Sequence, residues 1–151
     1  MKRYTERKVR GEISMSSGFD VLIDSDIFVA LFMPEDLLAE EAQRLYQQLK
    51  AGIPTKFVTT NMVVAETATV LSNRAGHQVA KQFLDRVAEM DVWFINEDLE
   101  RETHQLFRQQ TKSRGISMVD CANVVVMRRL HIGKIFSFDK FYKDNAIPRV
   151  G

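Results

Sequence analysis

The order of apolar and amphipathic segments predicts an α/β fold with three layers, α/β/α, around a short parallel sheet. Three observations carry this. Apolar runs of strand length alternate with longer segments whose apolar residues recur every three or four positions. One or two helical segments separate consecutive strand-like runs, so the strands are joined by crossovers and lie parallel. Acidic residues stand at the ends of apolar runs, where sheets of this kind gather their ligands.

FDVLID (19–24) reads as the first strand. PEDLLAEEAQRLYQQLKAG (34–52) reads as a helix: Pro34 and acids open it, Leu37, Leu38, Ala42, Leu45 and Leu49 repeat at helical spacing, and Gly52 closes it. KFVTT (56–60) is a short strand, and NMVVAETATVLSNRAG (61–76) a helix stopped by Gly76. HQVAKQFLDRVAEM (77–90) is a second helix, with Val79, Phe83, Val87 and Met90 on one face. VWFIN (92–96) reads as a buried strand. EDLERETHQLFRQQTKSRG (97–115) is a polar helix with acids first and bases last, as its dipole favours. ISMVDCANVVVMRRLHIG (116–133) is apolar almost all round and therefore central, and KIFSFD (134–139) is a strand. DKFYKDNAIPRVG supplies a short helical turn and an edge strand.

A chain of 151 residues, 45% hydrophobic and 27% charged, predicts one domain with a real core. We expect it to span residues 19–151, with residues 1–18 as an N-terminal extension that is disordered or precedes a start at Met15, rather than a basic arm for RNA. The net charge of +1 does not announce a nucleic-acid partner. Its distribution says more: of 21 basic and 20 acidic residues, five and two fall in residues 1–17, which leaves 16 and 18 for the body. One cysteine, Cys121, excludes an internal disulfide framework and a cysteine-rich zinc site. His77, His104 and His131 are dispersed on polar faces or helix ends and are not expected to be catalytic. No apolar stretch reaches the roughly 20 residues of a membrane span, and no signal peptide is visible, so a cytoplasmic protein is expected.

Four acids stand where apolar residues or caps belong. Asp24 ends VLID, Glu66 lies inside MVVAETATVL, Asp120 sits in the first turn of SMVDCANVVVM, and Asp139 ends KIFSFD. A carboxylate in apolar surroundings costs several kcal/mol unless it is paired or binds a cation. Apart from Lys134, at the opposite end of KIFSFD from Asp139, no Lys or Arg lies in these short segments, so a divalent cation with hard oxygen ligands is the expected partner. Each acid also has a plain reading. Asp24 and Asp139 can cap the turns that follow them, and Ser117 with Asp120 spells a capping box. Glu66, mid-helix among Val63, Val64, Ala65, Ala68 and Val70, resists such a reading most. Ser25 and Ser137 adjoin strand-end aspartates and form a secondary polar site if they point inward. Asp26 is expected to face water, and Asn123, one turn after Asp120, to extend the polar lip or to sit as an ordinary helix residue.

On the segments VLIDSDIFVALF, TTNMVVAETATVL, GISMVDCANVVVMRRL and KIFSFDKFYK, in that order over residues 19 to 143, the chain resembles the PIN-domain ribonucleases, most of all the VapC-type toxins of toxin–antitoxin pairs. In that family an Asp ends the first strand, a Glu sits on a mid-chain helix and two Asp residues come late, matching Asp24, Glu66, Asp120 and Asp139. Asp26 and Ser137 depart mildly from the Asn and Thr common there. The resemblance implies an endoribonuclease acting on single-stranded or looped RNA, a cognate antitoxin protein and a homodimer. Mg2+ or Mn2+ held by the carboxylates would activate water and neutralise the phosphate, with Asp24 and Asp120 as the firmest ligands. Arg74, Lys112, Arg114, Lys140 and Lys143 are candidates for holding RNA phosphates at the active rim. Two other classes fit parts of the pattern: a PIN-fold protein that binds RNA or a partner without cutting, and a receiver-type phosphoacceptor, which VWFIN, ending without an Asp, does not favour.

Overall fold

The protein is described by a computed structural model over residues 1–5, 17–112 and 114–151. Among the described residues the order is β1 (Lys2–Tyr4), β2 (Val21–Ile23), α1 (Ser25–Phe32), α2 (Ala39–Lys50), β3 (Phe57–Thr60), α3 (Asn61–Arg74), α4 (His77–Val87), β4 (Asp91–Trp93), α5 (Glu97–Gln109), α6 (Met118–Leu130), β5 (Lys134–Phe136), α7 (Phe141–Asp144) and β6 (Arg149–Val150). The strands form one sheet in the order β1-β4-β3-β2-β5-β6, parallel at every pairing. β2 lies in the middle, with Val21, Leu22 and Ile23 opposite Lys134, Ile135 and Phe136 of β5.

Strand residues alternate faces, and both faces are covered, which is why the strands read as continuous apolar runs. Leu22, Val58, Ile135 and Trp93 join a core with Leu99, Val124, Met127 and Tyr142 from α5, α6 and α7. Val21, Ile23, Val92 and Phe136 join a second core with Ile27, Phe28, Val63, Leu71 and Phe83 from α1, α3 and α4. The expected three-layer architecture is what forms.

Three differences from the expected elements have physical causes. SDIFVALF is a helix of its own, α1, directly after β2. Its run of apolar residues hides the helical period because Ile27, Phe28, Val29 and Ala30 are all buried. Next, Pro34 to Leu38 do not begin a helix; they turn, with Asp36 N–H donating to Met33 O and Leu38 N–H to the Asp36 carboxylate, and α2 starts at Ala39. Last, the expected disorder over 1–18 does not hold for residues 2–4. They add an edge strand beside β4, where the Tyr4 ring stacks on Trp93 at 6.2 Å and meets Phe19 edge-on at 5.3 Å. Three residues carry too little periodicity to announce a strand. The rest of that expectation, over 6–16, lies outside the described residues.

Candidate active site

Parallel crossovers bring the C-terminal ends of β2, β3 and β5 to one rim, and the acids gather there. Asp24, directly after β2, caps α1: its Oδ1 accepts from Ser25 N–H at 2.8 Å. The same oxygen accepts from Asn123 Nδ2 at 3.0 Å, and Oδ2 accepts from the Tyr142 hydroxyl at 2.6 Å and from Ser137 Oγ at 3.1 Å. Asp24 is only 2% exposed. So the capping reading holds for Asp24, and its carboxylate also lies within the acidic cluster.

Asp120 lies in the first turn of α6. Ser117 caps that helix, accepting from Val119 N–H at 3.0 Å and Asp120 N–H at 3.4 Å. The Asp120 carboxylate does not complete the box; its Oδ1 lies 3.1 Å from the Tyr142 hydroxyl. Glu66 projects from α3 and accepts from Ser25 Oγ at 2.6 Å, so Ser25 does join the cluster. Ser137, fully buried, is shared between Asp24 and Asp26, and its oxygen accepts from Asp139 N–H at 3.0 Å. Asp139 is exposed, and its Oδ1 accepts from Phe141 N–H at 2.8 Å, which opens α7 as the capping reading anticipates.

Asp26 overturns the expectation that it faces water. It lies in the first turn of α1, and its Oδ2 is taken by Phe138 N–H at 2.7 Å and Ser137 Oγ at 3.1 Å. The junction after β2 is thereby stitched to the junction after β5. Asn123 does more than extend a lip: fully buried, it donates to Asp24 and to the Tyr142 hydroxyl, and its Oδ1 accepts from Thr60 Oγ1 at 3.4 Å. Tyr142 is the residue that sequence reasoning missed. The signal was a hydroxyl-bearing ring in the short helical turn three residues after Asp139.

The electrostatics follow from this crowding. Burial, then the Asp26 charge, then that of Asp120 push Asp24 up to about 8 from the usual 3.8, against its hydrogen bonds from Tyr142 and Ser25. Burial and the nearby Asp139 charge push Asp120 up to about 7, with Glu66 and Asp26 adding to the effect. Asp26 is raised by burial. Burial raises the Tyr142 phenol far above its ordinary value, so it stays a proton donor. Five carboxylates thus act on one another, and among the described residues no ion pair relieves any of them. Hard oxygens carrying uncompensated, partly desolvated negative charge suit Mg2+ or Mn2+. The cluster is not a closed cage, since among the described residues no three acidic, histidine or cysteine side chains already surround one point as ligands would.

The cationic candidates divide. Arg74 ends α3, far along the helix from the rim, and pairs with Asp36 at 3.0 Å, so it does not face the acids. Lys112 pairs with Asp144 at 2.6 Å and feels the Asp139 charge, which places it beside the rim. Arg114, Lys140 and Lys143 are exposed near it in the chain. No hydrogen bond or ion pair among the described residues joins His77, His104 or His131 to the acids. Cys121 packs in the core, its thiol pushed up to about 11 by burial.

The fold is a parallel α/β sheet with a carboxylate cluster at its C-terminal rim, the kind of hard-oxygen surface that suits divalent cations. The chain belongs to the PIN domain family, whose model matches residues 21–147. It is 29% identical over 121 residues to the 23S rRNA-specific endonuclease VapC20 of Mycobacterium tuberculosis, covering 79% of this chain and 88% of that protein. The crystal structure of M. tuberculosis VapC20, described as a Sarcin-Ricin loop cleaving toxin, superposes with a TM-score of 0.77 and 26% identity over 87% of this chain and 98% of that one. VapBC2 from Rickettsia felis, solved with a promoter DNA fragment, shares the fold at a TM-score of 0.64 and 10% identity, over 87% of this chain and 98% of that one. Among the described residues no helix is long and apolar enough to cross a membrane.

Proposed function

We propose that this protein is an endoribonuclease that hydrolyses RNA phosphodiester bonds with Mg2+ or Mn2+, and that it is the toxin of a toxin–antitoxin pair in the cytoplasm. The observation that carries the reading is the cluster of Asp24, Asp26, Glu66, Asp120 and Asp139, none of which is relieved by an ion pair among the described residues. The similarity to an rRNA-specific endonuclease supports it and makes 23S rRNA the first substrate to try.

Asp24 and Asp120 would hold a cation, Asp139 a second one or the attacking water, and Glu66 would bind through water or act as the base. A bound divalent cation lowers the pKa of a water and neutralises charge at the phosphate. The chain's own residues do the rest. Ser25 fixes the Glu66 carboxylate, Ser137 ties Asp24 to Asp26, and Lys112, Arg114, Lys140 and Lys143 offer charge to RNA phosphates beside Asp139. An antitoxin would enter the same acidic cleft with an Arg or Lys. Exposed Leu37 and Leu38 near α2 and Leu84 on α4 offer apolar area for a homodimer. A non-cleaving RNA- or partner-binding domain would not need five mutually repelling carboxylates.

The test is cleavage of labelled 23S rRNA and of shorter looped RNAs by purified protein whose mass by light scattering is that of two chains. Cutting should need Mg2+ or Mn2+ and stop with EDTA. Asp24→Asn and Asp120→Asn should each lose at least about 100-fold, since even outer partners of metal ligands cost 10–100-fold. Cutting that survives chelation, or that both variants retain, removes the metal mechanism. A one-chain mass removes the dimer alone.

A further inference from the structure

Four donors converge on the Asp24 carboxylate: Ser25 N–H and Asn123 Nδ2 on Oδ1, Ser137 Oγ and the Tyr142 hydroxyl on Oδ2. Of these, Tyr142 makes the shortest bond, 2.6 Å, and it alone also reaches Asp120, at 3.1 Å. The hydroxyl has one proton, which the two carboxylates share, Asp24 Oδ2 at the shorter distance. Its own oxygen is filled by Asn123 Nδ2 at 3.0 Å, and Asn123 is seated in turn by Thr60. Tyr142, Asn123 and Thr60 are all fully buried, so the bridge is rigid. The Tyr142 ring is clamped against Phe141, at 5.6 Å between centroids. The three bridge residues come from α7, α6 and the end of β3, so the bridge ties three elements to the carboxylate at the end of β2.

We propose that Tyr142, seated by Asn123, is a positioning residue that sets the spacing and orientation of the Asp24 and Asp120 carboxylates for a divalent cation. This rests on the metal-dependent reading of the site. Asp120 Oδ2, Glu66 Oε1 and Asp139 Oδ2 have no hydrogen-bond partner among the described residues and stay open. Two like charges with no donor between them turn apart. A neutral hydroxyl fixed between them holds them together without adding charge that would repel the cation. A plain core tyrosine would need only one partner for its oxygen, and would not link two acids.

The experiment compares Mn2+ affinity, read by titration calorimetry and by the signal of free Mn2+ in electron paramagnetic resonance, for wild type, Tyr142→Phe, Asn123→Ala and Phe83→Leu. Phe83 lies in the other core, so its variant reports the cost of a packing change alone. Tyr142→Phe keeps the ring and should weaken Mn2+ binding about tenfold, the usual effect of losing an outer partner of a ligand. Asn123→Ala should weaken it in the same direction, and Phe83→Leu should lower the melting temperature yet bind Mn2+ as wild type does. If Tyr142→Phe binds within twofold of wild type, or if it binds more tightly, the hydroxyl is not a positioning group. If wild type binds no Mn2+ at all, the metal reading falls, and this proposal falls with it; cleavage of RNA by wild type in Mn2+ tells that case apart from failure of the bridge.

Discussion

At the scale of single residues the same side chains serve the backbone and the site. Asp24 caps α1, Asp139 opens α7, and Ser117 caps the helix that carries Asp120. Caps sit at helix starts, and α1 and α7 each start just after a strand end on the candidate rim. At Asp24 and Asp139 a capping role and the proposed site role therefore share one position. Asp139 is where they can be separated. Asn caps about as well as Asp, so Asp139→Asn leaves stability unchanged if the residue is only a cap. Its charge, however, bears on both Asp120 and Asp26. Removing it should stabilise the protein in EDTA by about 0.5 kcal/mol, the size of one exposed charge interaction, and should shrink the gain in melting temperature from millimolar Mg2+. Equal melting curves for the two proteins in EDTA and in metal would leave Asp139 as a cap.

At the scale of elements, helix ends are set by single conformational requirements. Gly76 separates α3 from α4 with φ +95° and ψ 156°. Nothing lies within 4 Å of where its Cβ would be, so Gly76→Ala meets no clash and only the backbone resists. That region of φ/ψ belongs almost to glycine alone, and holding Ala there costs on the order of 1–3 kcal/mol. Chemical denaturation should show a loss of this size with Mn2+ affinity unchanged; a loss below a few tenths would mean that the α3–α4 corner relaxes. Elements with period or punctuation were legible before the structure: α3 with Gly76 after it, α5 with its acids first, the apolar α6. α1 was not, because burial on nearly all sides removes the contrast on which periodicity depends, and β1 is too short to have a period. The site divides in the same way. Asp24, Glu66, Asp120 and Asp139 stood out as charges in apolar runs. Tyr142, Asn123 and Asp26 did not, because what joins them to the cluster is contact across 118, 99 and 111 positions of chain respectively, which no local pattern encodes.

At the scale of the whole molecule the cluster makes stability depend on pH, and the sign can be worked out. Asp24 and Asp120 rise from the usual 3.8 to about 8 and about 7 in the folded protein. Between these limits the folded chain binds more protons than the unfolded one, so stability falls as pH rises. The contribution is fully present below pH 3.8 and gone once pH has passed the folded values near 8. In EDTA the melting temperature should therefore decline from pH 5 to pH 8.5, although most proteins are at their most stable within that span. A cation reverses the argument, because it binds the deprotonated carboxylates and releases their protons. The rise in melting temperature from saturating Mg2+ should be larger at pH 8 than at pH 5, and the EDTA and metal curves should diverge with pH. Asp120→Asn removes one of the titrating groups and should flatten the EDTA curve. The measurement is a set of thermal melts at half-unit steps of pH, with and without metal. A melting temperature in EDTA that holds or climbs up to pH 8.5, with a metal shift that ignores pH, would mean that these carboxylates do not share one desolvated cluster.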